Sequence, residues 1–132
     1  MTIKKRILFV VMLAVFFAGI FTAPIVDKKI HKEDRQWTVV DSKAYAKDML
    51  SVWQDKQWAC LNNLWTKESN WRPEAYNKIK VMGKNAGGIP QLLGLDPKTP
   101  APRQIERGLD YIYNRYDTPC KAWAFFKKKG YH

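Results

Sequence analysis

The chain has 132 residues, 46% of them apolar and 14% aromatic, which suffices for one compact domain plus an appendage and excludes a second domain with its own core. Its 23 Lys and Arg against 12 Asp and Glu give a formal charge of +11. Such a chain is drawn to anionic surfaces such as phospholipid, teichoic acid, peptidoglycan or nucleic acid, and charge alone does not choose among them.

The first segment, residues 1–26, places Lys4, Lys5 and Arg6 ahead of an uncharged, mostly apolar run from Ile7 to Val26. This is the pattern of a membrane-targeting signal. A cut after Ala23 would have Phe21 at its third position and Pro24 just beyond, a poor cleavage site, so an uncleaved anchor is favoured over a removed signal peptide. Residues 7–26 would span roughly 30 Å as a helix, about the thickness of a bilayer's hydrocarbon. The basic cluster holds the N-terminus inside and exports the remainder, although Lys28, Lys29, Lys32 and Arg35 follow the run and oppose that bias. The expected location is therefore membrane-anchored or secreted, facing the periplasm or cell wall, in a bacterium or in a phage that attacks one. Residues 27–36 are charged, lack an apolar period and read as a tether. Residues 37–132 form the domain.

Within the domain, Asp41 or Ser42 would cap a first helix carrying Tyr45, Met49, Val52 and Trp53 at helical spacing. A second helix runs through KQWACLNNLWTKE, where Trp58, Leu61, Leu64, Trp65 and Glu68 fall on one stripe. From Ser69 to Gln91 the chain is rich in Pro and Gly and reads as loop with at most a short hairpin. The following QLLGLDP is expected to make one helical turn. Pro102 opens a third helix with Ile105, Leu109, Ile112 and Tyr116 on one face. Thr118 as N-cap, Pro119 at the first position and Gly130 at the end bound a fourth, which carries Ala122, Trp123 and Phe126. The fold class is mainly α.

Cys60 and Cys120 both lie in the domain and would pair in an oxidising compartment, two free thiols being the alternative. Such a bridge would add on the order of 4 kcal/mol by chain entropy. No CxxC is present, and the two histidines, His31 and His132, sit near the ends; a metal site is rejected and no cofactor is expected.

Glu68 carries the chemistry. A glutamate at a helix end is ordinarily solvated, but one on the face of Leu61, Leu64 and Trp65 is partly desolvated, which favours a carboxyl that keeps its proton. A general acid that breaks a glycosidic bond requires such a group.

The stretch WACLNNLWTKESNWRPEAYN followed by AGGIPQ resembles the soluble-type lytic transglycosylases of the goose-type lysozyme superfamily. The matching elements are Glu68-Ser69 at a helix end, Trp71, Ala75 to Asn77, and Gly88-Ile89-Pro90-Gln91. Cys60, Cys120 and the segment GLDYIYNRYDTPCKAW from Gly108 to Trp123 resemble small secreted members. The likeness covers about Gln57 to Tyr131. It implies a small lysozyme-like α+β domain. In it Glu68 is the catalytic acid and base that cleaves the bond between N-acetylmuramic acid and N-acetylglucosamine, with attack by the muramic 6-hydroxyl to leave a 1,6-anhydro end. Ser69 and Gln91 would shape the site and bond sugar or acid. Gly87 and Gly88 would let backbone approach the glycan. Tyr111 would line the cleft, and Trp71 would pack under the loop or stack on sugar. Phe125 and Phe126, and the segment PAPRQ, depart from the family pattern and alter peripheral sugar contacts.

No second carboxylate suits the site: Asp96 precedes Pro97 in a turn, and Asp110 falls on the polar side of its helix. That fits transglycosylation better than hydrolysis, which generally uses a pair. Peptidoglycan strands are the expected partner, with the membrane through residues 7–26. The rival readings are a lysozyme-type hydrolase, an inactive membrane-tethered glycan-binding or assembly protein, and a basic nucleic-acid binder. The last lacks any nucleic-acid motif, and its tryptophans fall at core spacing.

Overall fold

The computed structural model describes residues 36–51 and 55–132. The expected anchor at 7–26, nearly all of the tether, and Val52 and Trp53 of the first stripe lie outside the described residues. Among the described residues no helix is long and apolar enough to cross a membrane. A unit boundary falls between Gln36 and Trp37.

Helix α1 spans Val39–Met49. Its cap is Thr38 rather than Asp41 or Ser42: the Thr38 hydroxyl accepts from the Asp41 amide at 3.1 Å, while the Asp41 carboxylate accepts from the Thr38 amide at 3.0 Å. This is a capping box with Asp in the usual Glu position, and it starts the helix three or four residues earlier than expected. The face that enters the core is that of Ser42, Ala46 and Leu50, and Met49 is 39% exposed. Tyr45 is half-buried and meets Trp37 edge-on at 5.3 Å.

Helix α2, Asp55–Ser69, follows the expected stripe. Leu61, Leu64 and Trp65 are fully buried, each contributing about 1.5–3 kcal/mol of hydrophobic stabilisation. The helix stops because Asn70 (φ 54°) and Trp71 (φ 59°) turn left-handed in succession. That conformation costs of order 1–3 kcal/mol for each non-glycine residue. The Trp71 ring holds it in place: it is 1% exposed and packs on Trp65 at 5.1 Å and Trp58 at 5.7 Å.

The segment after α2 contains a minimal hairpin, β1 (Ala86–Gly87) against β2 (Leu92–Leu93), antiparallel with Ala86 opposite Leu93. Leu92 and Leu93 are thus strand where one helical turn was expected. Positive φ at Gly88, Gln91 and Gly94 reverses the chain on either side of β2 and excludes a helix there.

Helix α3, Ala101–Tyr116, begins behind Pro100 and buries Gln104, Ile105, Gly108, Leu109 and Ile112. Helix α4, Pro119–Lys129, has the expected ends: the Thr118 hydroxyl accepts from the Lys121 amide, and Gly130 closes it at φ 79°. Among the helices, α2 and α4 share the broadest interface, while α3 packs on both α1 and α4. The Cys60–Cys120 disulfide joins α2 to α4 with Cα atoms 4.9 Å apart, and the Cys120 amide donates to the Gln57 side chain at 2.9 Å. The domain is therefore mainly α with one short hairpin, and its core gathers Leu61, Leu64, Trp65, Trp71, Ile89, Ile105 and Ile112.

Candidate active site

Glu68 stands in the last turn of α2, on the same stripe as Leu61, Leu64 and Trp65. Its side chain is 15% exposed. One carboxylate oxygen, Oε1, lies 2.7 Å from His132 Nδ1. The imidazole is 2% exposed. Its ring meets Tyr111 edge-on at 5.8 Å and Tyr116 at 6.5 Å, both from α3. Burial pushes the Tyr111 hydroxyl above the usual tyrosine value, with neighbouring Tyr116 adding to the shift, so Tyr111 is a neutral phenol beside the pair. Tyr111 thus borders the candidate acid through the imidazole.

Ser69 shapes the site from beneath. Its buried hydroxyl donates to the Ile89 carbonyl at 2.7 Å, with the Trp65 carbonyl at 3.3 Å as a weaker second acceptor. The hydroxyl proton is committed to the protein rather than offered to sugar or acid. What Ser69 does is pin the end of α2 to the Gly88–Gln91 turn.

That turn is held from its other side by Gln104, fully buried on α3. The Gln104 side-chain oxygen accepts from the Ile89 amide at 2.8 Å, and its NH2 donates to the carbonyls of Pro73 (3.0 Å) and Thr99 (2.8 Å). Gln91 adds bonds from Nε2 to the carbonyls of Gly88 at 2.9 Å and Ala75 at 3.2 Å. Gly87 and Gly88 are required by the protein's own packing: a Cβ on Gly87 would strike the Leu95 carbonyl, and one on Gly88 the Gln104 oxygen. Gly108 plays the same part in α3, where a Cβ would stand 2.7 Å from both Pro90 and the Trp65 ring. Trp71 takes the first of its two expected roles, packed in the core, where its ring offers no face to sugar.

Asp96 accepts from the Lys98 amide at 2.8 Å in an exposed turn, and Asp110 lies on the exposed face of α3. Among the described residues no three His, Cys, Asp or Glu side chains converge on a metal site. A groove of about 480 Å³, lined in part by Lys47, Asp48 and Trp58, lies between α1 and the start of α2. Another of about 330 Å³ runs along the hairpin past Tyr76, Asn85 and Pro97. Neither is lined by Glu68.

Two residues of the site were not singled out from the sequence. Gln104 shares a four-residue spacing with Gly108 and Ile112, so its place on the buried face of α3 was legible, though its acceptors were not. His132 joins Glu68 across 64 residues, and no local pattern signals that contact. Compared with known proteins, the chain matches no family model, no curated protein and no solved structure.

Proposed function

We propose that the domain is a lysozyme-like lytic transglycosylase that cleaves the β-1,4 bond between N-acetylmuramic acid and N-acetylglucosamine in peptidoglycan. The observation that carries this reading is the environment of Glu68. Its carboxyl lies against an apolar stripe, mostly withdrawn from water, with one oxygen on His132 and the other, Oε2, free of any hydrogen bond among the described residues. A carboxyl so placed can deliver a proton and take it back.

In the reaction, Glu68 protonates the glycosidic oxygen as the bond from muramic C1 breaks. The muramic 6-hydroxyl then bonds to C1, and its proton passes to the Glu68 carboxylate. One sugar leaves with a 1,6-anhydro ring and the other with a free 4-hydroxyl; the acid is regenerated and no water is consumed. The likeness of Glu68-Ser69 and Gly88-Ile89-Pro90-Gln91 to the transglycosylase motif supports this choice, as does the exposure of both Asp96 and Asp110, which leaves neither with the desolvated setting of Glu68. The net charge of +11 suits an anionic wall. Residues 7–26 are proposed to anchor the chain to the membrane, with the domain facing the periplasm or wall.

The test is digestion of purified peptidoglycan by the wild-type chain and by Glu68→Gln. The expected result is release of soluble fragments by the former and none by the latter, with identical circular dichroism. A folded wild type that releases nothing would favour a glycan-binding protein instead.

A further inference from the structure

We propose that His132 is a positioning residue for Glu68: its Nδ1 donates to Oε1, fixes the rotation of the carboxyl group, and leaves Oε2 as the oxygen that exchanges the proton with substrate. This rests on the reading of Glu68 as acid and base.

A glutamate at the end of a helix has three rotatable side-chain bonds, and nothing in α2 itself aims its carboxyl. The imidazole supplies that aim. At 2.7 Å, the Nδ1–Oε1 separation is that of a short hydrogen bond. The donor is rigid because the ring is almost wholly enclosed, with Tyr111 and Tyr116 of α3 against it. Acceptor and donor therefore belong to different walls of the site, Glu68 to α2 and the gripped ring to the α3 side. A carboxyl held from two sides presents Oε2 in one direction.

The other ring nitrogen assigns the tautomer. His132 Nε2 is buried and has no hydrogen-bond partner among the described residues. A proton on Nε2 would be a buried donor without an acceptor, whereas a proton on Nδ1 satisfies the Glu68 carboxylate. Among the described residues, the titratable groups in contact with the ring are Glu68 from α2 and the phenols of Tyr111 and Tyr116 from α3, and none of them is bonded to Nε2. In this arrangement His132 holds Oε1 through Nδ1 and leaves Oε2 to carry the proton that is transferred. That proton goes to the glycosidic oxygen as the C1–O bond breaks. The carboxylate left behind is stabilised by the Nδ1–H until the 6-hydroxyl, bonding to C1, returns a proton to Oε2.

The experiment compares peptidoglycan cleavage by the full-length wild type, His132→Phe and His132→Asn. Phenylalanine keeps a ring between Tyr111 and Tyr116 but has no donor; the Asn amide nitrogen stands close to where Nδ1 was. The expected result is a fall in kcat on the order of 10- to 100-fold in His132→Phe with KM little changed, and recovery of most of that loss in His132→Asn. Equal kcat in wild type and His132→Phe would overturn the proposal, as would a rise in His132→Phe, which would mean that the imidazole obstructs Glu68. In both cases the catalytic reading of Glu68 stands, provided Glu68→Gln is inactive. Independently of turnover, 15N NMR of the His132 ring should find the proton on Nδ1 and a bare Nε2, and the reverse tautomer would contradict the assignment.

Discussion

The Ser69 hydroxyl and the Ile89 carbonyl, twenty residues apart, are joined by a buried hydrogen bond of 2.7 Å. This bond ties the last turn of α2, which carries Glu68, to the Gly88–Gln91 turn and thereby couples the two halves of the motif that resembles a transglycosylase. Replacing Ser69 by Ala leaves the Ile89 carbonyl buried without that partner, at a cost of about 1–3 kcal/mol. Urea unfolding of Ser69→Ala should show a loss of that size, and peptidoglycan cleavage should fall with it. A variant as stable as the wild type would mean that the turn is held by Gln104 and Gln91 alone.

The turn also depends on Gly88, which sits at φ 75° with the Gln104 side chain in the space a Cβ would need. In Gly88→Ala the backbone alone costs about 1–3 kcal/mol, and the new methyl displaces the Gln104 oxygen from the Ile89 amide. Gln104→Leu removes the same bond and strands the Pro73 and Thr99 carbonyls as well. Both variants should melt well below the wild type. Their double mutant should lose less than the sum of the two, since they remove one shared contact. Additive losses would show that the glycine and the glutamine act separately.

The Cys60–Cys120 bridge closes a loop of 60 residues between α2 and α4. Its loss should cost about 2–5 kcal/mol. Thermal denaturation of the paired Cys60→Ser, Cys120→Ser variant is expected to fall by about 4–8 °C for each kcal/mol lost. An unchanged melting temperature would show that the α2–α4 packing suffices without the bridge.

On the far side of α3, the Tyr45 hydroxyl donates to Glu106 at 2.7 Å and links α1 to α3. That bond, with help from Arg103, holds the Glu106 carboxyl below its ordinary value of 4.5. The same bond, ahead of burial, holds the Tyr45 hydroxyl above its ordinary value of 10.0. A depressed acid contributes stability above its unfolded value and loses it as pH falls through the folded one. A raised phenol contributes below its unfolded value and loses it as pH rises through the folded one. The stability difference between wild type and Tyr45→Phe should therefore be flat, at about 1 kcal/mol for a part-exposed pair, between those two ordinary values, and should shrink beyond each. A difference that does not change with pH would contradict the link.

How far the sequence could be read depended on how local each determinant is. Thr118, Pro119 and Gly130 set the ends of α4 through bonds within a few residues, and both ends fell where those residues indicated. The stripe from Leu61 to Glu68 was legible for the same reason. The start of α1 was misread because Asp41, a good cap in its own right, serves instead as the reciprocal partner of Thr38. The Leu92–Leu93 strand was hidden because the left-handed backbone at Gln91, a non-glycine residue, is imposed by a turn that a distant helix holds in place. Gly87, Gly88 and Ser69 were singled out as glycan-facing, and the contacts that hold them are internal ones the sequence did not signal, since the groups they meet lie 8 to 20 residues away. His132 was the hardest of all, because its partner Glu68 lies 64 residues away.

The most direct test of the central claim is mass spectrometry of the fragments released from purified sacculi by the wild-type chain, with Glu68→Gln digested in parallel. The account predicts muropeptides ending in 1,6-anhydro-N-acetylmuramic acid from the wild type and none from Glu68→Gln. Fragments with reducing muramic ends would make the enzyme a hydrolase, and equal release by Glu68→Gln would remove Glu68 from the chemistry altogether.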